Sequence, residues 1–249
     1  MSLSTLIALV AASTFAGTVD AIAGGGGLVT VPALRLAGLP AEVVLGTNKG
    51  QSAWGSLAAA IAFWRAGRVD ARLALVTFPL AFVGSFAGAS AVLLIPREVL
   101  DTIVIVLLVA AAVLLVVRKP SRDVDDPARH RPLAAGVLAL AIGAYDGFFG
   151  PGTGTFLIVG FVALCGRSLV HASADAKVVN FASNLAAALT FAHAGSIAWD
   201  LALPMAVGQL VGGIVGTRLA LRGGARVVRA MVLVVSGALI AKLALDLVT

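Results

Sequence analysis

The sequence predicts an all-α, polytopic membrane protein with two inverted-topology repeats, each made of a glycine-broken helical hairpin and three transmembrane helices. Composition gives the class, because 60% of the 249 residues are hydrophobic and only 12% are charged. Apolar stretches of membrane-spanning length recur along the chain, and a glycine-rich interruption occurs twice at corresponding places. A soluble helical domain would need polar helix faces, and segments such as Leu100–Val117 have none.

The charge and cysteine content exclude several classes of protein. The formal charge of +6 is spread among loops, as expected of a basic membrane protein, so nucleic acid is not expected as a partner. The single cysteine, Cys165, excludes an intrachain disulfide. His130, His171 and His193 form no spaced cluster with it, so we expect no metal, no cofactor and no enzymatic activity.

The apolar segments divide into two series of five. The first series is predicted at Leu3–Ile22, Leu28–Leu39, Gly46–Trp64, Leu73–Leu94 and Val99–Val117. The second is predicted at Leu133–Phe149, Thr153–Leu164, Val170–His193, Trp199–Leu221 and Val227–Leu247. No positively charged region precedes the first segment, which we therefore interpret as part of the fold and not as a cleaved signal.

Residue matches between the two series indicate an internal repeat. A shift of 128 places Lys49 on Lys177, and a shift of 126 places Asp20 on Asp146. The intervening stretch carries charges of both signs and three prolines, which is typical of an aqueous linker. We therefore predict a first membrane repeat at 1–117, a cytoplasmic linker at 118–132 and a second repeat at 133–249.

Arginine-rich loops give the orientation of the two repeats. Arg65–Arg72, Arg118–Arg131 and Arg218–Arg229 are predicted to be cytoplasmic by the positive-inside rule. The loops at the matching positions of the other repeat carry few or no Lys and Arg. The repeats are thus predicted to be inverted relative to each other, with both termini outside.

The two glycine-rich breaks are candidates for an anion site. Each follows an aspartate, and the residues concerned are Asp20 with Gly24, Gly25, Gly26 and Gly27, and Asp146 with Gly150, Gly152 and Thr153. Small residues at a helix break leave backbone N–H groups free to converge, and the next helix start adds its positive dipole end. The alternative is that the glycines only allow close helix packing.

Two lysines within apolar spans are the second signal. A charge inside a membrane normally faces a cavity or a partner, so Lys49 and Lys177 are candidates for lining a site; the alternative is snorkelling to the interface. Helical spacing puts Asn180 and Asn184 on the face of Lys177, and Asn48 on the face of Ser52. These side chains supply hydrogen-bond donors for a small oxyanion.

The roles of Asp20 and Asp146 stay open at the level of sequence. They could carry protons, pair with the lysines as counter-ions, or cap the freed N–H groups of the broken turns. We favour pairing or capping, because an anion site gains nothing from a permanently negative neighbour.

Four motifs resemble the TauE/SafE family over nearly the whole chain. They lie at Asp20–Leu28, Leu45–Lys49, Tyr145–Gly154 and Ala176–Asn184. The resemblance implies a prokaryotic inner-membrane permease that moves sulfur-containing oxyanions such as sulfite, thiosulfate or organosulfonates, typically outward. It also implies that the site lies within these motifs, at Gly24–Gly27, Asn48, Lys49, Gly150–Thr153, Lys177, Asn180 and Asn184.

The combined hypothesis is a secondary transporter that works by alternating access around a site between the repeats, with a small anion and the lipid bilayer as partners. No ATP-binding Gly-x-x-x-x-Gly-Lys-Ser/Thr loop is present in the sequence. Two alternatives are a passive anion channel and a sulfur-relay protein that uses Cys165 as a thiol carrier. The sequence leaves the oligomeric state open.

Overall fold

The structure is a computed structural model that describes residues 2–96, 99–100, 103, 124–126 and 131–248. For residue 229 and residues 232–248 it describes the backbone alone. Most of the predicted span Val99–Val117 and most of the linker 118–132 therefore lie outside the described residues.

Within the described residues every regular element is an α-helix, which confirms the all-α prediction. Most boundaries fall within a few residues of those expected, and the helices are α1 Leu3–Ala23, α2 Gly27–Leu36, α3 Ala41–Arg65, α4 Ala71–Val92, α5 Pro132–Phe148, α6 Thr153–Cys165, α7 Leu169–His193 and α8 Trp199–Val248. Gly224 interrupts α8 with a non-helical backbone (φ 56°, ψ −150°). This kink falls between the last two predicted spans.

Local sequence explains where several helices begin and end. The side chain of Ser2 accepts the Thr5 N–H at the start of α1, and that of Asp70 accepts two N–H groups at the start of α4. Pro132 opens α5 at a position where its missing N–H costs nothing. The left-handed backbone of Gly166 ends α6.

Three of the described helices are long and apolar enough to cross a membrane: α1, α4 and the part of α8 that spans Trp199–Val228. Side chains such as Leu75 (78% exposed) and Leu133 (82% exposed) offer an apolar exterior that suits lipid. The helices α3 and α7 each have 25 residues and a largely buried polar face. They are the central pair of the bundle, and the other helices shield their polar residues.

The two halves exchange their helix partners. Parallel packing joins α1 to α8, since Ser13 Oγ donates to the Met205 carbonyl while Thr18 contacts Gly216 further along. The pair α4 and α5 is arranged in the same way. The first helix of each half thus packs against the fourth helix of the other half, and α3 packs against α7 in the middle.

Rows of glycines, here called glycine seams, allow the close packing of α1 on α8 and of α4 on α5. A Cβ added at Gly88 would lie 2.0 Å from the Ala144 carbonyl oxygen, and one at Gly216 would lie 2.3 Å from that of Thr18. The pairs Gly84/Gly88 and Gly212/Gly216 are each spaced by four residues and are related by the shift of 128. Small residues at this spacing let membrane helices approach closely, so the repeat extends to the packing of its helices.

Charged and polar contacts define two ends of the bundle. At the linker end, defined by residues 66–70, 124–126 and 166–168, the Asp126 N–H donates to the Gly166 carbonyl and the Asp70 N–H donates to Asp175. At the opposite end, defined by residues 37–40 and 194–198, the Ala198 N–H donates to Thr47. The described parts of the first two arginine-rich loops thus share the linker end.

Candidate functional site

The two glycine-rich breaks touch each other near the middle of the bundle. A Cβ added at Gly24 would lie 2.3 Å from the backbone of Gly154. The Thr155 hydroxyl donates to the carbonyls of Ala23 (2.9 Å) and Gly24 (3.1 Å). The hairpins of the two halves therefore meet, as the sequence analysis expects of a site that both halves share.

A small polar cavity, partly open to solvent, lies beside this contact. Its lining comprises Asp20, Gly25, Gly26, Gly27, Asn48, Lys49, Ser52, Asp146, Gly150, Thr153, Gly154, Asn180, Asn184 and Gln209. Among the residues predicted from sequence, Gly24, Gly152 and Lys177 do not line it. Gly24 packs on the other hairpin, and Gly152 is the residue before the first turn of α6. Lys177 donates to the lining residue Asp20 without lining the cavity itself.

Two buried ion pairs cross between the halves. Lys49 Nζ lies 2.7 Å from Asp146 Oδ1, and Lys177 Nζ lies 3.0 Å from Asp20 Oδ2. The side chain of Lys49 is 2% exposed and that of Lys177 is 0% exposed. Neither amine snorkels to water, because each is neutralised inside the bundle by a carboxylate of the other half.

Asp20 is held mainly by the backbone of its own broken turn. Its Oδ1 accepts the N–H groups of Gly25 (3.1 Å) and Gly26 (3.3 Å), while Oδ2 faces Lys177. Gly24 (φ 73°) and Gly25 (φ 120°) adopt a backbone that side-chain-bearing residues rarely accept. One carboxylate therefore caps the break and pairs with a lysine at the same time.

Asp146 is held by side chains instead. Its Oδ1 accepts the Thr153 hydroxyl (2.8 Å) in addition to Lys49, and its Oδ2 accepts a hydrogen bond from the Ser183 hydroxyl. Pro151 stands in this turn where the first half has Gly25, and proline has no N–H to donate. The hydroxyls of Thr153 and Ser183 replace the backbone donors of the first half.

Two asparagines present their amide NH₂ groups to the cavity. Asn48 Oδ1 accepts the Thr30 hydroxyl (2.6 Å) and Gln51 Nε2 (3.3 Å), and Asn184 Oδ1 accepts Lys49 Nζ (3.2 Å). With both carbonyl oxygens occupied, the NH₂ groups are the parts of these side chains that a ligand can use. They are donors suited to an anion.

Gln209 is a cavity residue that the sequence analysis missed. It is 2% exposed and packs against two glycines, since a Cβ at Gly17 or Gly55 would lie 2.9 or 2.5 Å from its Oε1. No hydrogen bond engages its amide within the described residues. The sequence signal that could have identified Gln209 is that it is a single polar residue inside the apolar run Val207–Val211. The shift of 128 places it on Ala81, so the first half has no equivalent.

A second charged cluster ties the linker end together. Arg167, which is 7% exposed, donates to Asp175 (2.8 Å) and lies within 3.8 Å of Asp70 and 3.6 Å of Asp125. Asp125 also lies 2.6 Å from His171 Nδ1. This cluster is separate from the cavity lining, and it fastens the linker to the start of α7.

Cys165 lies in the apolar core and not at the cavity. It is 1% exposed and belongs to the same core cluster as Phe161 and Leu169. The described residues hold no group of three or more His, Cys, Asp or Glu side chains arranged for a metal ion.

Comparisons with known proteins agree on a family of membrane transporters. The family model described as "Sulfite exporter TauE/SafE" matches residues 9–243. The "Probable membrane transporter protein ORF9" of Sinorhizobium sp is 38% identical over 239 residues, covering 96% of this chain and 92% of that protein. The "Probable membrane transporter protein YfcA" of Escherichia coli (strain K12) is 38% identical over 232 residues, covering 93% and 86%. No solved structure matches the chain.

Proposed function

The chain belongs to the TauE/SafE sulfite exporter family, and on that premise we propose that it is a secondary transporter that exports a small sulfur-containing oxyanion, such as sulfite, thiosulfate or an organosulfonate. One observation carries the proposal: a polar cavity lies where the glycine breaks of both halves meet inside a multi-pass membrane protein. We place the protein in the prokaryotic inner membrane, with repeats at 1–117 and 133–249, a cytoplasmic linker at 118–132 and both termini outside.

Hydrogen-bond donors bind the anion in this proposal. The NH₂ groups of Asn48 and Asn184 face the cavity, and the Gly27 N–H at the start of α2 has no hydrogen-bond partner within the described residues. The positive dipole end of α2 adds to these donors. Fixed donors replace the hydration shell of an oxyanion without the need for an unpaired cation.

The two crossed ion pairs act as the two gates of an alternating-access cycle. Each lysine lies eight residues from the start of its 25-residue helix (49 − 41 and 177 − 169). Because α3 and α7 run antiparallel, the two lysines lie at different levels along the bundle. The Lys49–Asp146 pair is nearer the opposite end and the Lys177–Asp20 pair is nearer the linker end, so opening one at a time exposes the site to one side.

The membrane potential suffices to drive export. Moving an anion out of an inside-negative cell is favoured by about 2.3 kcal/mol per charge per 100 mV. No coupled ion is then required for export, whereas uptake of the same anion would need one.

The proposal is tested by calorimetric binding to the purified protein in detergent. Sulfite, thiosulfate, sulfate, methanesulfonate and chloride are compared on the wild type, Lys49→Ala, Lys177→Ala and Arg65→Ala. We expect selective binding of sulfur oxyanions that weakens at least about tenfold in both lysine variants, equivalent to about 1.4 kcal/mol. Arg65→Ala, which removes an exposed cation at the end of α3, should bind like the wild type.

The proposal would be contradicted if chloride bound as tightly as the sulfur oxyanions, or if neither lysine variant weakened the binding of those oxyanions. A lysine variant counts only if it keeps the elution profile and melting temperature of the wild type. Flux into vesicles then separates a transporter from a channel, since a transporter shows saturation and counterflow whereas a channel shows flux linear in substrate. Cys165→Ser should leave flux nearly unchanged, whereas a sulfur relay would lose its activity.

A further inference from the structure

The ionisable groups that line the cavity, together with Lys177, which pairs with the lining residue Asp20, cancel in charge. Asp20 on α1 and Asp146 on α5 are matched by Lys49 on α3 and Lys177 on α7. The described lining residues of α2, α6 and α8 add no ionisable side chain. A dianion would therefore bring two uncompensated charges into a buried site and a monoanion only one. Because burying an uncompensated charge is costly, the charge balance favours the monoanion.

One residue of the cavity lining has a buried carbonyl oxygen without a hydrogen-bond partner. Asn180 lines the cavity and is 3% exposed, and its Oδ1 has no hydrogen-bond partner among the described residues. A buried acceptor without a donor is costly and needs a partner. A fully deprotonated oxyanion offers acceptors only, so it leaves Asn180 Oδ1 unpaired. A ligand with its own O–H group pairs it.

Gln209 supplies a second uncommitted amide. It is 2% exposed at the cavity, and neither its oxygen nor its nitrogen takes part in a hydrogen bond within the described part of the chain. Its oxygen is thus a further acceptor for a ligand hydrogen. The shift of 128 places Asn180 on Ser52 and Gln209 on Ala81. Both uncommitted carbonyls therefore come from the second half of the chain.

We propose that the site selects the protonated, singly charged form of its oxyanion, a monoanion whose O–H group donates to Asn180 Oδ1 while its other oxygens accept from the amide and backbone donors. This inference rests on the proposed function and narrows its substrate class. For sulfite, the bound species is hydrogen sulfite. Sulfate and thiosulfate, which remain dianions near neutral pH, are poor ligands.

The test compares three anions across neutral pH by calorimetry on the full-length protein in detergent. Sulfite changes between monoanion and dianion in this range, methanesulfonate stays a monoanion without a donor hydrogen, and sulfate stays a dianion. The apparent Kd for total sulfite should rise about tenfold per pH unit once the monoanion is the minor species. Methanesulfonate should bind more weakly than hydrogen sulfite and with no pH dependence, and sulfate should bind weakest.

Two variants separate the role of Asn180 from a general loss of donors. Asn180→Leu removes the unpaired carbonyl, so the affinities for hydrogen sulfite and methanesulfonate should become equal. Asn184→Leu is the matched control one turn away, because its carbonyl already accepts Lys49. Asn184→Leu should lower the affinities for hydrogen sulfite and for methanesulfonate by the same factor, so that the ratio of the two affinities is unchanged. If Asn180→Leu does not fold, the comparison of the three anions on the wild type still decides.

The outcomes distinguish this inference from the function on which it rests. If no sulfur oxyanion binds at any pH, both fail. If sulfate binds as tightly as sulfite, or sulfite affinity does not fall with rising pH, selection of the monoanion is wrong while oxyanion transport stands. If methanesulfonate binding shows the same pH dependence as sulfite binding, the protein and not the ligand titrates, and the inference is overturned.

Discussion

Asp20 and Asp146 occupy equivalent positions in the two halves, yet they are held in different ways. Two backbone N–H groups and one lysine contact Asp20, whose side chain is 23% exposed. One lysine and two hydroxyls contact Asp146, whose side chain is 5% exposed. The first break is thus stabilised within its own turn, while the second is fastened to α3 and α7.

The same contrast recurs at the starts of the two central helices. The Ser168 N–H at the start of α7 donates to Asp125 of the linker (2.6 Å), and Arg167 anchors the same turn to Asp175. Pro40 precedes α3 and has no N–H to donate, so α3 lacks an equivalent of the Ser168–Asp125 hydrogen bond; its first turn instead accepts a hydrogen bond from the Ser196 hydroxyl at Glu42. The second half is therefore the firmly anchored one. We expect the hairpin of the first half, α1 with α2, to be the part that moves during transport.

Removing the carboxylates should give the largest difference between the halves. Asp146→Asn leaves Lys49 buried without its counter-ion, which should cost about 3–5 kcal/mol of unfolding free energy. Asp20→Asn also strands a buried lysine, Lys177, but its amide oxygen can still accept the N–H groups of Gly25 and Gly26. It should therefore cost less than Asp146→Asn, which in addition leaves the Thr153 and Ser183 hydroxyls with one acceptor oxygen in place of two. Melting temperatures in the same detergent measure both effects.

The double variant Asp146→Asn with Lys49→Met is the control for this pair. It removes the stranded charge and should be more stable than Asp146→Asn alone. Equal melting temperatures for Asp20→Asn and Asp146→Asn would contradict the difference between the halves.

Two glycines of the first break should respond very differently to a side chain. Gly24→Ala places a Cβ 2.3 Å from the Gly154 backbone at φ 73°, and the left-handed backbone alone costs about 1–2 kcal/mol. Gly27 aligns with Thr153, and its Cβ would meet Pro151 at ordinary contact distances from 3.4 Å. Gly27→Ser, which copies the hydroxyl of the second half, should change stability by less than about 0.5 kcal/mol.

Binding and thermal stability measured on the same preparations check this prediction. Gly24→Ala should lower both the anion affinity and the melting temperature, because the two hairpins can no longer touch. A Gly24→Ala protein with wild-type binding would show that the contact between the breaks is dispensable.

The smallest expected effect is at the anchor of the second half. Burial alone raises the pKa of Asp125, but the hydrogen bond from the Ser168 N–H and the charges of Arg167 and His171 outweigh burial and hold the pKa below its ordinary value. Because folding lowers the pKa of Asp125, the stabilisation that its ionised carboxylate provides is fully present above the pKa that this carboxyl has in the unfolded chain. It is lost as the pH falls through the folded value.

Asp125→Asn should therefore reduce stability modestly at neutral pH and have no effect once the medium is acid enough to protonate Asp125. Hydrogen exchange at the first turn of α7 measures this locally. Exchange that is unchanged in the variant at neutral pH would show that the linker does not anchor this helix.

The sequence predicts the helices and the breaks well because their signals are strong. Glycine runs that interrupt apolar stretches set the ends of α1 and α5, and charges within apolar sequence identify Asp20, Lys49, Asp146 and Lys177 as special. Sequence reasoning favoured pairing of these carboxylates with the lysines or capping of the broken turns, but it could not tell which carboxylate pairs with which lysine. The repeat makes pairing within and between halves look equivalent, and only the exchange of helix partners decides between them.

Other features escaped because their meaning depends on neighbours. Gln209 is a single polar residue in an apolar helix, and nothing local shows that Gly17 and Gly55 leave room beside it. Asn180 and Asn184 look alike in sequence, yet one carbonyl is unpaired and the other accepts a lysine. Such differences arise only when α3 and α7 pack together.

The exchange of helix partners also bears on biosynthesis. As the chain leaves the ribosome, α1 enters the membrane long before its partner α8 exists, so its glycine seam must wait until α8 has been translated. A chain that stopped after α4 would present two unmatched seams, and only a second copy in the reverse orientation could fill both.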